Sequence, residues 1–266
     1  MLRDIGPDLL SAAECIAARG GELGCPLHIV STTTSTSDLA KQGARAGANH
    51  GSTWLAEEQT DGRGRQGRQW FARRGESLLF SVLLRLDCDL CRLPPVSVGV
   101  GLAVADAIGR HLKERRPRLK WPNDVVIRDR KVAGILVESV KVSPGKSCVI
   151  VGIGINVHTR HFQGDLDGRA TSLALETGQV PSRAELLADV IEQLDRDVPL
   201  VVGHGLGLFA ARIAECDSLR GRTVRSVSGD EGTAEGIGEN GCLLVRRVDG
   251  QLAHWSSGEV HLVGLG

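Results

Sequence analysis

Apolar positions recur along this chain with two periods. Over residues 7–19 they fall at Leu9, Leu10, Ala13, Ile16 and Ala17, a helical stripe that starts behind Pro7 and stops at Gly20-Gly21. Residues 28–30 predict a strand, and Ser37-Asp38 predict the cap of a helix from Leu39 to about Ala46, closed by Gly47. A second strand follows over 53–57. The run 77–86, SLLFSVLLRL, is almost continuously apolar and predicts a strand buried on both faces. Residues 96–112, rich in Ala, Val and Gly, predict a helix lying close on a sheet. Three further strands are expected over 125–127, 132–140 and 148–157, turning at Asp129 and at Pro144-Gly145.

Helical spacing returns over 184–200 and, after Gly203, Gly205 and Gly207, over 208–216. The character changes at Asp217. From there short β-type runs alternate with Gly229-Asp230, Glu239-Asn240-Gly241 and Asp249-Gly250, the spacing of a small barrel. The expected organisation is a mixed α and β domain over 1–216, with 1–28 as a helical extension, and a β appendage over 217–266.

Composition narrows the classes of function. Lys+Arg and Asp+Glu number 32 each, so no global field draws the chain to nucleic acid or an anionic membrane. Asp4, Asp8 and Glu14 interrupt what a signal peptide would need as an apolar core, and no run approaches ~18 apolar residues. A cytoplasmic protein with no membrane partner is expected. The seven cysteines are odd in number and scattered, which is no disulfide framework. Cys88 and Cys91 form a C-x-x-C without a second pair or a histidine at zinc-site spacing, so no metal site is expected by direct ligand motif.

Chemistry concentrates in four stretches. Residues 59–70, QTDGRGRQGRQW, combine three glycines, which free the backbone N–H groups, with the always-protonated Arg63, Arg65 and Arg68. Such a loop suits a phosphate or carboxylate, although a solvated basic loop or a single-strand nucleic-acid patch uses the same residues. Lys120-Trp121-Pro122-Asn123-Asp124 precedes Arg130-Lys131-Val132-Ala133-Gly134-Ile135-Leu136. Two of the chain's six lysines therefore sit beside apolar strands, where an uncompensated cation is costly and a strand-end lysine snorkelling to water is the plain alternative. Gly152-Ile153-Gly154-Ile155-Asn156 is a strand whose glycines admit close approach. Ser35-Thr36-Ser37-Asp38 is a helix start whose hydroxyls serve a ligand or ordinary capping equally well.

Taken in this order, the four stretches and the tail segment Trp255-Ser256-Ser257-Gly258-Glu259-Val260 closely resemble the biotin protein ligases, from about Ile29 onward. The resemblance implies an α+β fold: a mixed-sheet catalytic domain of the class II aminoacyl-tRNA synthetase type and a small SH3-like C-terminal barrel. It implies activation of biotin by ATP to biotinyl-5′-AMP, with Mg²⁺, and transfer to a lysine of a biotin carboxyl carrier protein. With about 28 residues ahead of the first strand, no DNA-binding domain and no DNA partner are expected; a homodimer stays open.

Residue by residue, the resemblance assigns Ser35, Thr36, Ser37 and Gln59 to the ring end of biotin, with Gly62, Arg63, Gly64, Arg65, Lys131 and Gly134 completing that site. Arg63, Arg65, Arg68, Trp70, Asn123, Lys131 and Asn156 fall to ATP and the adenylate. Lys131, Arg65 and Asp124 are the catalytic candidates, Asp124 toward the carrier lysine. Ser37 stands where the family usually has Asn, and Ser31-Thr32-Thr33-Thr34 offers a second register for the hydroxyl segment. Lipoate ligases share the chemistry but carry a different glycine-rich signature; an RNA-binding or repressor module accounts for the arginine loop and leaves Lys131 and Asn156 unexplained.

Overall fold

The computed structural model describes residues 4–86, 93–143, 146–178 and 180–263, with only the backbone of 146 and 147. The C-x-x-C of Cys88 and Cys91 and the turn at Pro144-Gly145 lie outside the described residues. Seven strands form one mixed sheet: β1 (Leu27–Thr33), β2 (Thr53–Gln59), β3 (Ser77–Leu84), β4 (Arg118–Lys120), β5 (Asp124–Ile127), β6 (Arg130–Ser143) and β7 (Lys146–Asn156). Their order is β1-β2-β3-β7-β6-β5-β4. Only β1 and β2 run parallel, joined by helix α2 (Thr36–Arg45) as crossover; every other pairing is antiparallel, as consecutive apolar runs separated by tight turns require. Arg128 and Asp129 turn β5 into β6 with φ of 51° and 60°.

Alternation along the strands divides the sheet into two faces. Leu78, Phe80, Val82 and Leu84 of β3, with Val149, Val151, Ile153 and Ile155 of β7, pack into the large core beneath helices α1 (Ala12–Arg19), α3 (Leu93–Gly109) and α5 (Arg183–His204). Each fully buried side chain of this kind contributes ~1.5–3 kcal/mol. On the opposite face Leu83 and Ile150 pack under Ala40 and Ala44 of α2. The same face of β3, β6 and β7 carries Ser81, Gly134, Gly152 and Gly154, which opens a gap in the layer beside α2.

A short helix α4 (Leu173–Glu176) and helix α6 (Ala210–Cys216) complete the helical part, and β8 (Thr223–Ser226), β9 (Glu231–Ile237), β10 (Leu243–Arg247), β11 (Leu252–Trp255) and β12 (Val260–Leu262) form a second sheet, wholly antiparallel, in the order β11-β10-β9-β8-β12. Several expectations shift. The stripe at 7–19 divides into a 3-10 turn at Pro7–Leu9 and α1, because Arg183 holds the Asp8 carboxylate in the first turn at 2.8 and 2.9 Å. The helix expected from Leu39 begins at Thr36, and its cap is Ser35 rather than Ser37: the Ser35 hydroxyl accepts from Ser37 N, while Gln59 Oε1 accepts from Thr36 N at 2.7 Å. The helix expected over 96–112 covers Leu93–Gly109, that over 208–216 gives its first residues to a 3-10 turn at Gly207–Phe209, and the three-residue β4 gave no periodic signal.

Candidate active site

The gap beside α2 is a narrow cleft open to solvent. Its inner wall is a hydroxyl cluster. Ser35, Thr36 and Ser37 are buried, Thr36 Oγ1 lies 2.8 Å from Ser81 Oγ and donates to Gln59 Oε1 at 3.1 Å, and Ser37 Oγ lies 3.2 Å from Ser81 Oγ. Ser35, Thr36, Ser37 and Gln59 line the cleft, with Ser81 hydrogen-bonded behind them, whereas Ser31–Thr34 lie on or next to β1 away from it. Ser81 was missed in the sequence; its signal was a lone hydroxyl in an apolar run.

The floor is made of glycines. Gly134 and Gly154 are paired across β6 and β7, and a Cβ on Gly154 would stand 2.6 Å from Trp70 Cε2, one on Gly134 2.9 Å from Trp70 Cζ3. The indole therefore lies flat on bare backbone, which only glycine permits. A Cβ on Gly152 would meet Ser37 Oγ at 2.7 Å. The glycine strand that looked uninformative alone is thus the surface on which both the ring and the hydroxyl cluster rest.

The loop over 60–75 folds back on itself. Arg63 bridges to Gln69, Trp70 N donates to Gly62 O at 2.8 Å, and a 3-10 turn at Arg65–Gly67 places Gln66 at φ 56° and Gly67 at φ 74°. Each arginine reaches a different element: Arg63 pairs with Asp38 of α2 at 3.0 Å, Arg65 donates to Asn123 Oδ1 at 3.1 Å, and Arg68 pairs with Glu259 beside β12. Burial pulls the Arg65 guanidinium below its usual range, which Asp124 partly opposes. Asn123 is fixed in turn, donating to Ile135 O at 2.9 Å. Lys131 Nζ meets Asp124 Oδ1 at 2.7 Å and stands 5.4 Å from the Trp70 ring centroid.

Of the expected site residues, Ser35, Thr36, Ser37, Gln59, Arg63, Gly64, Arg65, Trp70, Asn123, Lys131 and Gly134 line this cleft. Gly62 and Arg68 do not; they face an outer mouth shared with Leu136, Val137 and Glu138. Asp124 reaches the cleft only through Lys131. Asn156, expected near the nucleotide, is buried and donates to Thr171 O at 3.0 Å and Lys131 O at 3.5 Å, so here it fastens the Lys131 strand to the segment beside it. The cleft has a hydrogen-bonding inner end, a flat apolar middle and a cationic outer end, complementary to an elongated ligand with a polar ring and an acid group.

The Biotin/lipoate A/B protein ligase family matches residues 29–156, the span that holds every cleft residue just described. A biotin–[acetyl-CoA-carboxylase] ligase of Paracoccus denitrificans is 35% identical over 213 residues, covering 76% of this chain and 87% of that protein. The chain belongs to the biotin protein ligases. The bifunctional ligase/repressor BirA of Salmonella typhimurium is 33% identical over 215 residues, and the alignment spans 80% of this chain and 67% of that longer protein. Among solved structures, a biotin protein ligase of Aquifex aeolicus in complex with biotin and ATP superposes with a TM-score of 0.76 at 32% identity, covering 89% of this chain and 97% of that one. The biotin protein ligase fold, with its mixed sheet and α+β content, accounts for both sheets of this chain. No helix among the described residues is long and apolar enough to cross a membrane.

Proposed function

We infer that this biotin protein ligase activates biotin with ATP, releasing pyrophosphate, and passes the biotinyl group to a lysine of a biotin carboxyl carrier protein. The observation that carries the reading is the union, in one cleft, of the Ser35–Ser37, Gln59 and Ser81 hydrogen-bonding cluster with Arg65 and Lys131 at its other end. Urea-like donors and acceptors match the first, and a carboxylate beside a phosphate requires the second. We read the seven-stranded sheet as a class II synthetase-like domain over 1–216 and the five-stranded sheet as an SH3-like barrel over 217–266.

Two anions have to meet in the first step. A biotin carboxylate oxygen bonds to the α-phosphorus while the bond from that phosphorus to the bridging oxygen breaks, and the electron pair leaves with pyrophosphate. Lys131 and Arg65 cancel the repulsion in a partly dry cleft, with Arg63 and Arg68 brought in from the loop. Trp70 shields the mixed anhydride from water, on the floor that Gly134 and Gly154 leave open. In the second step the carrier amine attacks the acyl carbon, AMP departs, and Asp124 takes or orients the amine proton once Lys131 has turned to the ligand.

Mg²⁺ supplies charge neutralisation on the triphosphate. Among the described residues no group of three acidic, cysteine or histidine side chains forms a metal site, and Asp38, Asp124 and Glu259 are each engaged by a cation. The residues do not fit a protein-built site, and the ion enters on ATP. The test is incubation with ATP, Mg²⁺ and either biotin or lipoate. Biotin is expected to give pyrophosphate and biotinyl-5′-AMP and to label a carrier domain; activation of lipoate alone would overturn the substrate.

A further inference from the structure

The sheet holds Lys131 only loosely. The β6–β7 ladder starts at Ala133 opposite Ile155, so Lys131 lies beyond its end, and on the β5 side it faces Val126 at the register shift between Val125 and Val126. Residues 169–171 take over where β7 stops. Lys131 N donates to Arg169 O and Thr171 N donates to Lys131 O, each at 2.8 Å, in a parallel bridge centred on Ala170. Both backbone polar groups of the lysine therefore depend on a segment that belongs to no strand of the sheet.

A buried carboxylate fixes that segment. Glu176, the last residue of α4, has a fully buried side chain. Its Oε1 accepts from Thr171 Oγ1 and from Arg130 Nη2, both at 2.6 Å, and its Oε2 accepts from Arg115, which lies between α3 and β4. Thr171 is the residue bonded to Lys131 O, and Arg130 immediately precedes Lys131 in β6, so one carboxylate grips the lysine's backbone from two directions. The short helix is itself seated by Ser172, whose hydroxyl accepts from Leu175 N at 3.2 Å and donates to Thr159 O at 2.5 Å. Burying a carboxylate is costly unless its charge is balanced and its lone pairs are used, and here both oxygens are engaged.

We propose that Glu176 is a positioning residue for the adenylation step, setting the placement of Lys131 through Thr171 and Arg130. The inference rests on the ligase reading, in which Lys131 meets the biotin carboxylate and the α-phosphate. Glu176 does not line the cleft and acts through the backbone at 130–131. The buried pairs hold one geometry of that backbone, and the reach of the lysine's ammonium is measured from there. A misplacement of about 1 Å at a reacting group costs up to ~10²-fold in rate, so a side chain outside the site can govern the step.

The experiment compares Glu176→Gln, Thr171→Val and Thr171→Ser in the full chain, with Arg212→Gln as a control that breaks a different buried ion pair, to Asp197 of α5. Glu176→Gln and Thr171→Val are each expected to slow biotinyl-5′-AMP formation about 10- to 100-fold while the KM for biotin stays within about twofold, because the ring end of the cleft is untouched. Thr171→Ser keeps the hydroxyl and should restore the rate, and Arg212→Gln should lower the thermal midpoint with adenylation at the parent rate. In a Lys131→Ala background Glu176→Gln should add nothing, since a residue acting through Lys131 has no separate effect once the lysine is gone. Independent, multiplying losses, or a rate that only follows the thermal midpoint across all variants, would make Glu176 a structural acid and overturn the proposal. If Glu176→Gln fails to fold, Thr171→Val decides alone, and a parent-like rate there sinks the idea. Hydrogen exchange supplies a readout apart from activity: the amide of Lys131 should lose protection in Glu176→Gln, and unchanged protection also overturns the assignment. A parent protein that forms no biotinyl-5′-AMP would sink the ligase reading, whereas lost protection at Lys131 would still assign the anchor.

Discussion

Lys131 meets Asp124 at 2.7 Å with about a third of its side chain (34%) exposed, so the pair is worth only ~0–1 kcal/mol to the fold. Its value lies in the reacting state. Lys131→Ala is expected to slow biotinyl-5′-AMP formation ~10²–10³-fold while shifting the thermal midpoint by no more than a few degrees; a collapse of the midpoint that matched the activity loss would make the lysine structural. Gly154→Ala tests the floor. Its Cβ would stand 2.6 Å from Trp70 Cε2, so the indole has to leave, with loss of adenylation and a changed tryptophan emission at unaltered circular dichroism; normal activity would show that Trp70 does not need its resting place. Lys131 stood out in the sequence because a cation beside an apolar run has no packing reason to be there, and Arg65 because three arginines share one glycine-rich loop. Ser81 did not, since a single hydroxyl in an apolar run reads as ordinary until its neighbours from distant segments are known.

The start of α2 and the arginine loop belong to one apparatus. Ser35 caps the helix and lines the cleft, and Gln59 satisfies Thr36 N from β2, so the hydrogen bonds that begin the helix also set the ring end of the site. Ser35→Ala should cost ~1 kcal/mol of stability and weaken biotin binding together, by titration calorimetry and thermal melts; stability loss with intact binding would reduce Ser35 to a cap. The loop is tied down by polar contacts at exposed arginines, Arg63 to Asp38 and Arg68 to Glu259, with side chains 46% and 59% exposed. Limited trypsin digestion should therefore cut at 63–68 in the free protein and be blocked by biotin with ATP. Equal cleavage in both conditions would argue against closure. Period and punctuation made the long strands and α5 readable, whereas the cap position depended on Gln59, 24 residues past Ser35, and β4 is too short to carry any period.

At the scale of the whole molecule, the change of character at Asp217 marks a change of architecture without marking a boundary in the core. Val224, Ala234, Leu243, Val245 and Val260 of the five-stranded sheet pack in the same apolar cluster as Phe80, Leu119 and Ile135 of the other. Trp121 of the K-W-P-N-D stretch is fully buried and donates Nε1 to Gly241 O at 2.8 Å, while a Cβ on Gly241, at φ +78°, would come within 2.7 Å of the Pro94-Pro95 backbone. That contact was not legible in the sequence, because neither Trp121 nor Gly241 announces a partner 120 residues away. The two sheets are therefore expected to melt as one unit: calorimetry of the full chain should give a single transition, and a fragment ending at Cys216 should not fold. Cutting there uncovers Leu119 and Trp121, leaves the indole N–H without its acceptor at ~1–3 kcal/mol if it stays dry, and removes Glu259, the partner of Arg68. A soluble fragment with a cooperative melt, or two separated transitions in the intact protein, would show that the sheets fold independently and that the residues joining them serve the site alone.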